Sequence, residues 1–247
     1  MLNLITSWDE RRDIALPGDV KETLQFALDH FLNAYKEAIA AKNSFYVALS
    51  GGSTPKALFA LLTTPPSSLA IDWKKVHLFW SDERSVSKED LDSNYHMAME
   101  AGFAKVGIPE NQIHPMEAEV SIQEKARTYE TLIKAELKGR GFDYLMLGMG
   151  DDGHTASLFP GTDGLHRADR LVIANYIPQK STWRMTLTFT CINAASHIVL
   201  YVLGSSKKEK LFEILSLQES IYPIQQVGTE DHKALFIVDN EAAKLLR

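Results

Sequence analysis

Read for hydrophobic period, the chain alternates between two signals. Residues 19–42 place Val20, Leu24, Ala27, Phe31, Tyr35 and Ala38 at helical spacing, which predicts an amphipathic helix with one buried stripe. FYVALS (45–50) follows as a continuous apolar run, then GGSTP and the helical KALFALL (56–62). VHLFWSDE (76–83) is a second run ending in polar residues, and FDYLMLG (142–148) is a third. Between them the pattern predicts helices near 93–105 and over 122–138. Further strands are expected at 171–177, 184–190, 197–204 and 234–239, with helices at 206–217 and 240–246. Short apolar runs alternating with helices predict an α/β fold: a mostly parallel sheet with helices on both faces. TTPPSS (63–68) is the most loop-like stretch, but the alternation continues across it. The expectation is therefore a single domain over residues 1–247.

Composition narrows the function classes. The 247 residues are 45% apolar and 23% charged, the balance of an ordinary globular protein. A net charge of −6 counts against a nucleic-acid groove or an anionic membrane as partner, while leaving room for a local basic site. No run of 18 apolar residues predicts a membrane-spanning helix. The opening MLNLITSWDERR lacks the layout of a secretion signal, and Cys191 is the one cysteine. Both features point to a cytoplasmic protein without disulfides. Nothing in the pattern fixes an oligomeric state.

In open α/β sheets ligands bind beyond the carboxyl ends of the strands. Three strand ends stand out. Ser50-Gly51-Gly52-Ser53-Thr54-Pro55 is either a tight turn capped by Ser53 or Thr54, or a helix start whose free N–H groups bind a phosphate. The spacing is not that of a Walker loop. Trp80-Ser81-Asp82-Glu83-Arg84 is either a solvated charged loop or a ligand edge, where Asp82 orients a base or a sugar hydroxyl and Arg84 holds an anion.

The third, LGMGDDGHTASLFPG (147–161), packs Asp151, Asp152 and His154 into a glycine-rich turn. It fits GxGxxG, but mid-chain and with Pro160 too close for a full crossover helix. Asp152 and His154 offer only two obvious metal ligands, so no metal is expected there. The remaining reading is acid–base chemistry, with His154 projecting into a cleft and a carboxylate fixing its tautomer.

Together, SGGSTP (50–55), WSDERSV (80–86), SNY (93–95), LGMGDDGHTASLFP (147–160), RMTLT (184–188), GSSK (204–207) and FIVDNEAAKLL (236–246) resemble the 6-phosphogluconolactonase family. The similarity runs from about residue 45 to the end. It implies the fold shared with glucosamine-6-phosphate isomerase/deaminase, and hydrolysis of 6-phosphoglucono-1,5-lactone without metal or other cofactor. On that reading Ser50, Gly51, Gly52, Ser53, Arg184 and Lys207 hold the phosphate; Lys207 is favoured over Lys208 by its spacing from Gly204. His154 is the base toward water, Asp152 or Asp82 orients the ring or the sugar hydroxyls, and Arg84 stabilises the tetrahedral oxyanion. Two alternatives remain at this stage: the isomerase/deaminase and a sugar-phosphate-binding regulator without turnover. The deaminase pattern has a glutamate five residues after its DGH histidine, where this chain has Phe159.

Overall fold

In the computed structural model, residues 4–217 and 221–246 are described. Seven strands form the main sheet in the order β1 (Ile5–Ser7), β2 (Arg12–Ala15), β10 (Ala234–Val238), β9 (Ile198–Val202), β6 (Tyr144–Gly148), β3 (Phe45–Leu49) and β4 (Val76–Trp80). All neighbouring pairs are parallel except β1 with β2. The strands β3, β9 and β10 are buried at every position, as expected of strands covered on both faces. The helices are α1 (Val20–Lys42), α2 (Ser53–Thr63), α3 (Asn94–Glu100), α4 (Ile122–Leu137), α5 (Phe189–Ile192) and α6 (Lys208–Ser216). Among the described residues no helix is long and apolar enough to cross a membrane.

The long helix α1 has its ends written in sequence. The Asp19 carboxylate accepts from the Glu22 amide and the Glu22 carboxylate from the Asp19 amide, each at 2.9 Å, forming a capping box. Asn43 ends the helix in the left-handed conformation. Phe31, Ala27, Tyr35 and Ala38 are buried as the periodicity predicts, whereas Val20 in the first turn is exposed.

Several boundaries differ from the sequence pattern. The run 76–83 breaks at Ser81: β4 stays in the main sheet, and Asp82–Arg84 becomes β5 of a second, antiparallel sheet in the order β5-β8-β7. The expected strands at 171–177 and 184–190 are β7 (Val172–Ile177) and β8 (Thr182–Leu187) of this small sheet, and α5 begins just after Thr188. The helix expected at 93–105 stops at Glu100, and Gly102 precedes a single turn at Phe103–Lys105. Residues 240–246 form turns rather than a helix. There the Asn240 amide donates to the Gly18 carbonyl, and Asp239 is shared between the amides of Ala242 and Gly204. The pairing of β1 and β2 had no counterpart in the hydrophobic pattern, because ITS and RDIA are too short and polar to carry a period.

Candidate active site

The carboxyl ends of β3, β4 and β6 and the small sheet enclose a cleft of about 290 Å³. Ser50, Gly51, Gly52, Asp82, Arg84, His154 and Arg184 all line it. A larger cavity, about 500 Å³, is bordered by His30, Glu37 and His197 near the start of β9. Its lining has no glycine-rich loop and no paired arginines, and most of the residues singled out in the sequence gather instead at the smaller cleft.

One end of the cleft is built for an anion. Helix α2 begins at Ser53, with Gly52 as its N-cap and no side-chain cap. The expected hydroxyl caps from Ser53 or Thr54 do not form, because both residues already lie inside the first turn. Opposite, Arg84 and Arg184 are direct partners across the β5–β8 pair. Like charges directly opposed on a sheet repel. The Nε atoms of both guanidiniums are buried without a hydrogen-bond partner. Burial lowers the Arg184 pKa; nearby Asp82 opposes the shift, and Arg84 adds to it. A dianion seated between them turns this repulsion into charge-assisted hydrogen bonding. The register thus places Arg84, expected at the oxyanion, beside Arg184.

Asp82 is buried behind this end. Its carboxylate accepts from the Ser157 hydroxyl at 2.7 Å and the Asn94 amide at 3.3 Å. Asn94 is held by Glu83, whose carboxylate accepts from the amides of Arg84, Asn94 and Tyr95 and from the Ser93 hydroxyl, at 2.7–3.0 Å. Burial raises the Glu83 pKa even against these four donors. The close seat of Asn94 also explains Gly51: a Cβ there would lie 2.0 Å from Asn94 Oδ1. Glu83 and Asn94 lay within the SDER and SNY motifs, yet their role depends on α3 docking onto β5, which spacing alone does not encode.

The other end carries the histidine. His154 Nδ1 lies 2.5 Å from Asp152 Oδ1, which also accepts the His154 amide at 3.1 Å. A carboxylate only accepts, so Nδ1 bears the hydrogen and Nε2 holds the lone pair. For Asp152, burial pushes the pKa up, but the bonds from the His154 ring and backbone outweigh it and hold the carboxyl below the usual range. Asp152, not Asp82, is thus the carboxylate on His154. Gly150 is a steric requirement, since a Cβ there would meet the imidazole at 2.0 Å. Phe159 stacks on the imidazole at 3.8 Å between centroids and 16° between planes. The Lys180 ammonium lies 6.0 Å from the Phe159 ring, and Lys180 lines the same cleft.

Lys207, expected at the phosphate, does not line the cleft: its ammonium lies 2.6 Å from Asp151 and holds that carboxyl below its ordinary pKa. Lys208 pairs with Glu209 at 3.4 Å. Ser53 opens α2 and also lies just off the lining, whereas Ser157 and Asn94, which the quoted motifs contain without a role assigned to them, and Lys180, which lies in none of those motifs, do line it.

Fold and cleft together have the make-up of an α/β enzyme for a small phosphorylated molecule. Residues 18–237 match the model of the glucosamine-6-phosphate isomerases/6-phosphogluconolactonase family, and the chain belongs to that family. It is 35% identical to the 6-phosphogluconolactonase of Chlamydia muridarum over 99% of this chain and 94% of that one. It is 39% identical to the Synechocystis 6-phosphogluconolactonase over 85% and 88% of the two chains. The 6-phosphogluconolactonase structure from Trypanosoma cruzi superposes with a TM-score of 0.85 at 28% identity, covering 98% of each chain.

Proposed function

We propose that this protein hydrolyses 6-phosphoglucono-1,5-lactone to 6-phosphogluconate, the ester-cleaving step of the oxidative pentose phosphate pathway. The observation that carries the reading is the His154–Asp152 pair stacked under Phe159, across one cleft from two opposed arginines. The phosphate sits at the uncapped start of α2 between Arg84 and Arg184, with the Ser50–Gly52 backbone beside it. The ring then extends toward His154. Nε2 takes a proton from a water molecule as that water attacks the lactone carbonyl, and Asp152 steadies the imidazolium that forms; collapse of the tetrahedral intermediate then breaks the ring C–O bond as the imidazolium returns the proton to the departing ring oxygen. Lys180 adds positive charge at this end, where the oxyanion develops. Asp82, fixed by Ser157 and Asn94, orients the sugar hydroxyls. Each step uses groups of this chain and a water molecule, in a protein with the composition of a cytoplasmic enzyme.

Phe159 separates this reading from the isomerase/deaminase. Ring opening and proton transfer between neighbouring carbons call for a second carboxylate beside the sugar. A phenyl ring carries no proton, and here it is committed to stacking on the histidine. The test is direct. Purified protein given freshly generated lactone accelerates acid release, and given glucosamine 6-phosphate it releases no ammonia. Ammonia release at a rate near that of lactone hydrolysis overturns the assignment; failure on both substrates favours the non-catalytic regulator.

A further inference from the structure

A second constellation of titratable side chains lies on the main sheet away from the cleft. His77 is the second residue of β4, His114 follows the bridge that pairs Ile113 with Leu78, and Glu136 is in the last turn of α4. One ring nitrogen of each histidine and one Glu136 oxygen all lie within 4.8 Å of one another. The two rings are nearly parallel, at 11°, with centroids 6.0 Å apart. His77 Nδ1 is 3.7 Å from Glu136 Oε2. His114 is 8% exposed, and its Nε2 is buried without a partner, as is His77 Nδ1. Buried polar atoms are ordinarily satisfied, so an orphaned nitrogen on each of two imidazoles clustered with a carboxylate calls for an explanation.

We infer that His77, His114 and Glu136 form a binding site for a divalent transition-metal ion, zinc by preference. Two imidazoles and a carboxylate, with a water in the fourth position, are an accepted zinc ligand set. Nitrogen donors also select against calcium and magnesium. Tetrahedral bonds of about 2.0–2.1 Å place ligand atoms roughly 3.3 Å apart. The His77–Glu136 pair is already near that value, and the part-exposed Glu136 can swing to close the rest. The surroundings hold the rings in place. Tyr46 stacks on His77 at 4.3 Å, and Phe79 lies 4.4 Å from His114.

The Gln112 amide nitrogen lies 2.9 Å from His77 Nε2 and 3.1 Å from the Lys74 carbonyl oxygen, and donates to both. That leaves the His77 hydrogen on Nδ1. Metal binding shifts it to Nε2, and the Gln112 amide turns over so that its carbonyl accepts it. The imidazole stays neutral, and one hydrogen bond to Lys74 is given up. Gln112 then serves as the outer partner that fixes the ligand's tautomer. The site sits at least three residues before the end of β4, about 10 Å from the cleft along the strand, so it does not depend on the catalytic reading.

The experiment uses Zn²⁺ and the full chain, stripped with a chelator and titrated against a chromogenic zinc indicator. His154→Ala serves as the background, to remove the cleft histidine as a competing ligand. One equivalent of Zn²⁺ is expected to bind and to raise the melting temperature. Glu136→Gln, a part-exposed and shape-conserving change, and His77→Ala should each weaken binding by more than about 100-fold and abolish the thermal shift, since even outer partners are worth about 10- to 100-fold. Bound Co²⁺ should give the intense visible bands of a four-coordinate site in the background protein and not in Glu136→Gln. Absence of stoichiometric Zn²⁺ binding overturns the inference. So does binding that survives both substitutions unchanged.

Discussion

At the scale of the residue, the cleft is divided on the proposed reading between a base and an anion grip, and the two ends should fail differently. His154→Ala removes the lone pair proposed to take the proton, while its neighbours Phe159 and Asp152 remain. kcat should fall by roughly 100-fold or more with little change in KM, as steady-state assays on the lactone will read. Arg184→Ala and Arg84→Ala each remove a charge-assisted contact worth about 1.5–3 kcal/mol. That contact is equal in ground and transition states, so KM should rise while kcat holds. A lactone lacking phosphate provides the control: on it both variants should match the parent, and equal losses on both substrates would mean general damage instead. The contact of Asp152 with His154 was legible in sequence because GMGDDGH places the two residues within one turn. The partnership of Arg84 with Arg184 was not, because it is a cross-strand register between segments 100 residues apart. Lys207 illustrates the converse. Its position fits a family motif, yet its nearest charge here is Asp151.

At the scale of the element, the decisive structures are turns at strand ends. The long apolar runs of β3, β4, β6, β9 and β10 were readable because strands buried on both faces need no alternation. The small antiparallel sheet was harder to see: β5 spans only three residues and continues without a break from β4 except at Ser81. A one-residue departure from the main sheet leaves no periodic trace, yet it carries Asp82 and Arg84 to the cleft and Glu83 to its support behind. The turn after β6 is just as local. The Gly150 amide donates to the His154 carbonyl and its own carbonyl accepts from Gly153, closing the turn under the imidazole. Gly150→Ala therefore drives a methyl into the ring at 2.0 Å and must displace it from Asp152 or Phe159. The variant should fold, since the turn is at the surface of the cleft, but kcat should drop by at least about 10-fold. Far-ultraviolet circular dichroism and kinetics together check this; full activity would mean that the stacked geometry is dispensable.

At the scale of the whole molecule, the fold buries a histidine that it does not use for chemistry. His30, on α1, is 8% exposed, lies 3.1 Å from the Tyr144 hydroxyl through Nδ1 and has His197 at 5.6 Å between ring centroids. Burial, with a smaller push from His197, lowers its pKa from 6.5 to about 4. The sign follows from proton counting. The unfolded chain takes up this proton near pH 6.5 and the native one near 4, so the unfolded state binds more protons throughout that window. Stability is then intact above the unfolded value, falls as the pH drops between them and levels off below the folded value. For this group the loss between pH 7 and 5 is about 2 kcal/mol. His77 and His114, also lowered by burial, act in the same direction. Carboxylates such as Asp152, whose pKa is lowered, lose their contribution only below about pH 4, and Glu83, whose pKa burial raises, acts in the opposite direction, so the comparison with a His30 variant is what isolates the histidine. Urea unfolding at steps from pH 7 to 5 should show a steady fall in the free energy of unfolding, and His30→Gln should flatten it by about the stated amount. Parallel curves for the two proteins over that range would mean that His30 is protonated in the native state, and that the packing around Tyr144 is looser than its geometry implies.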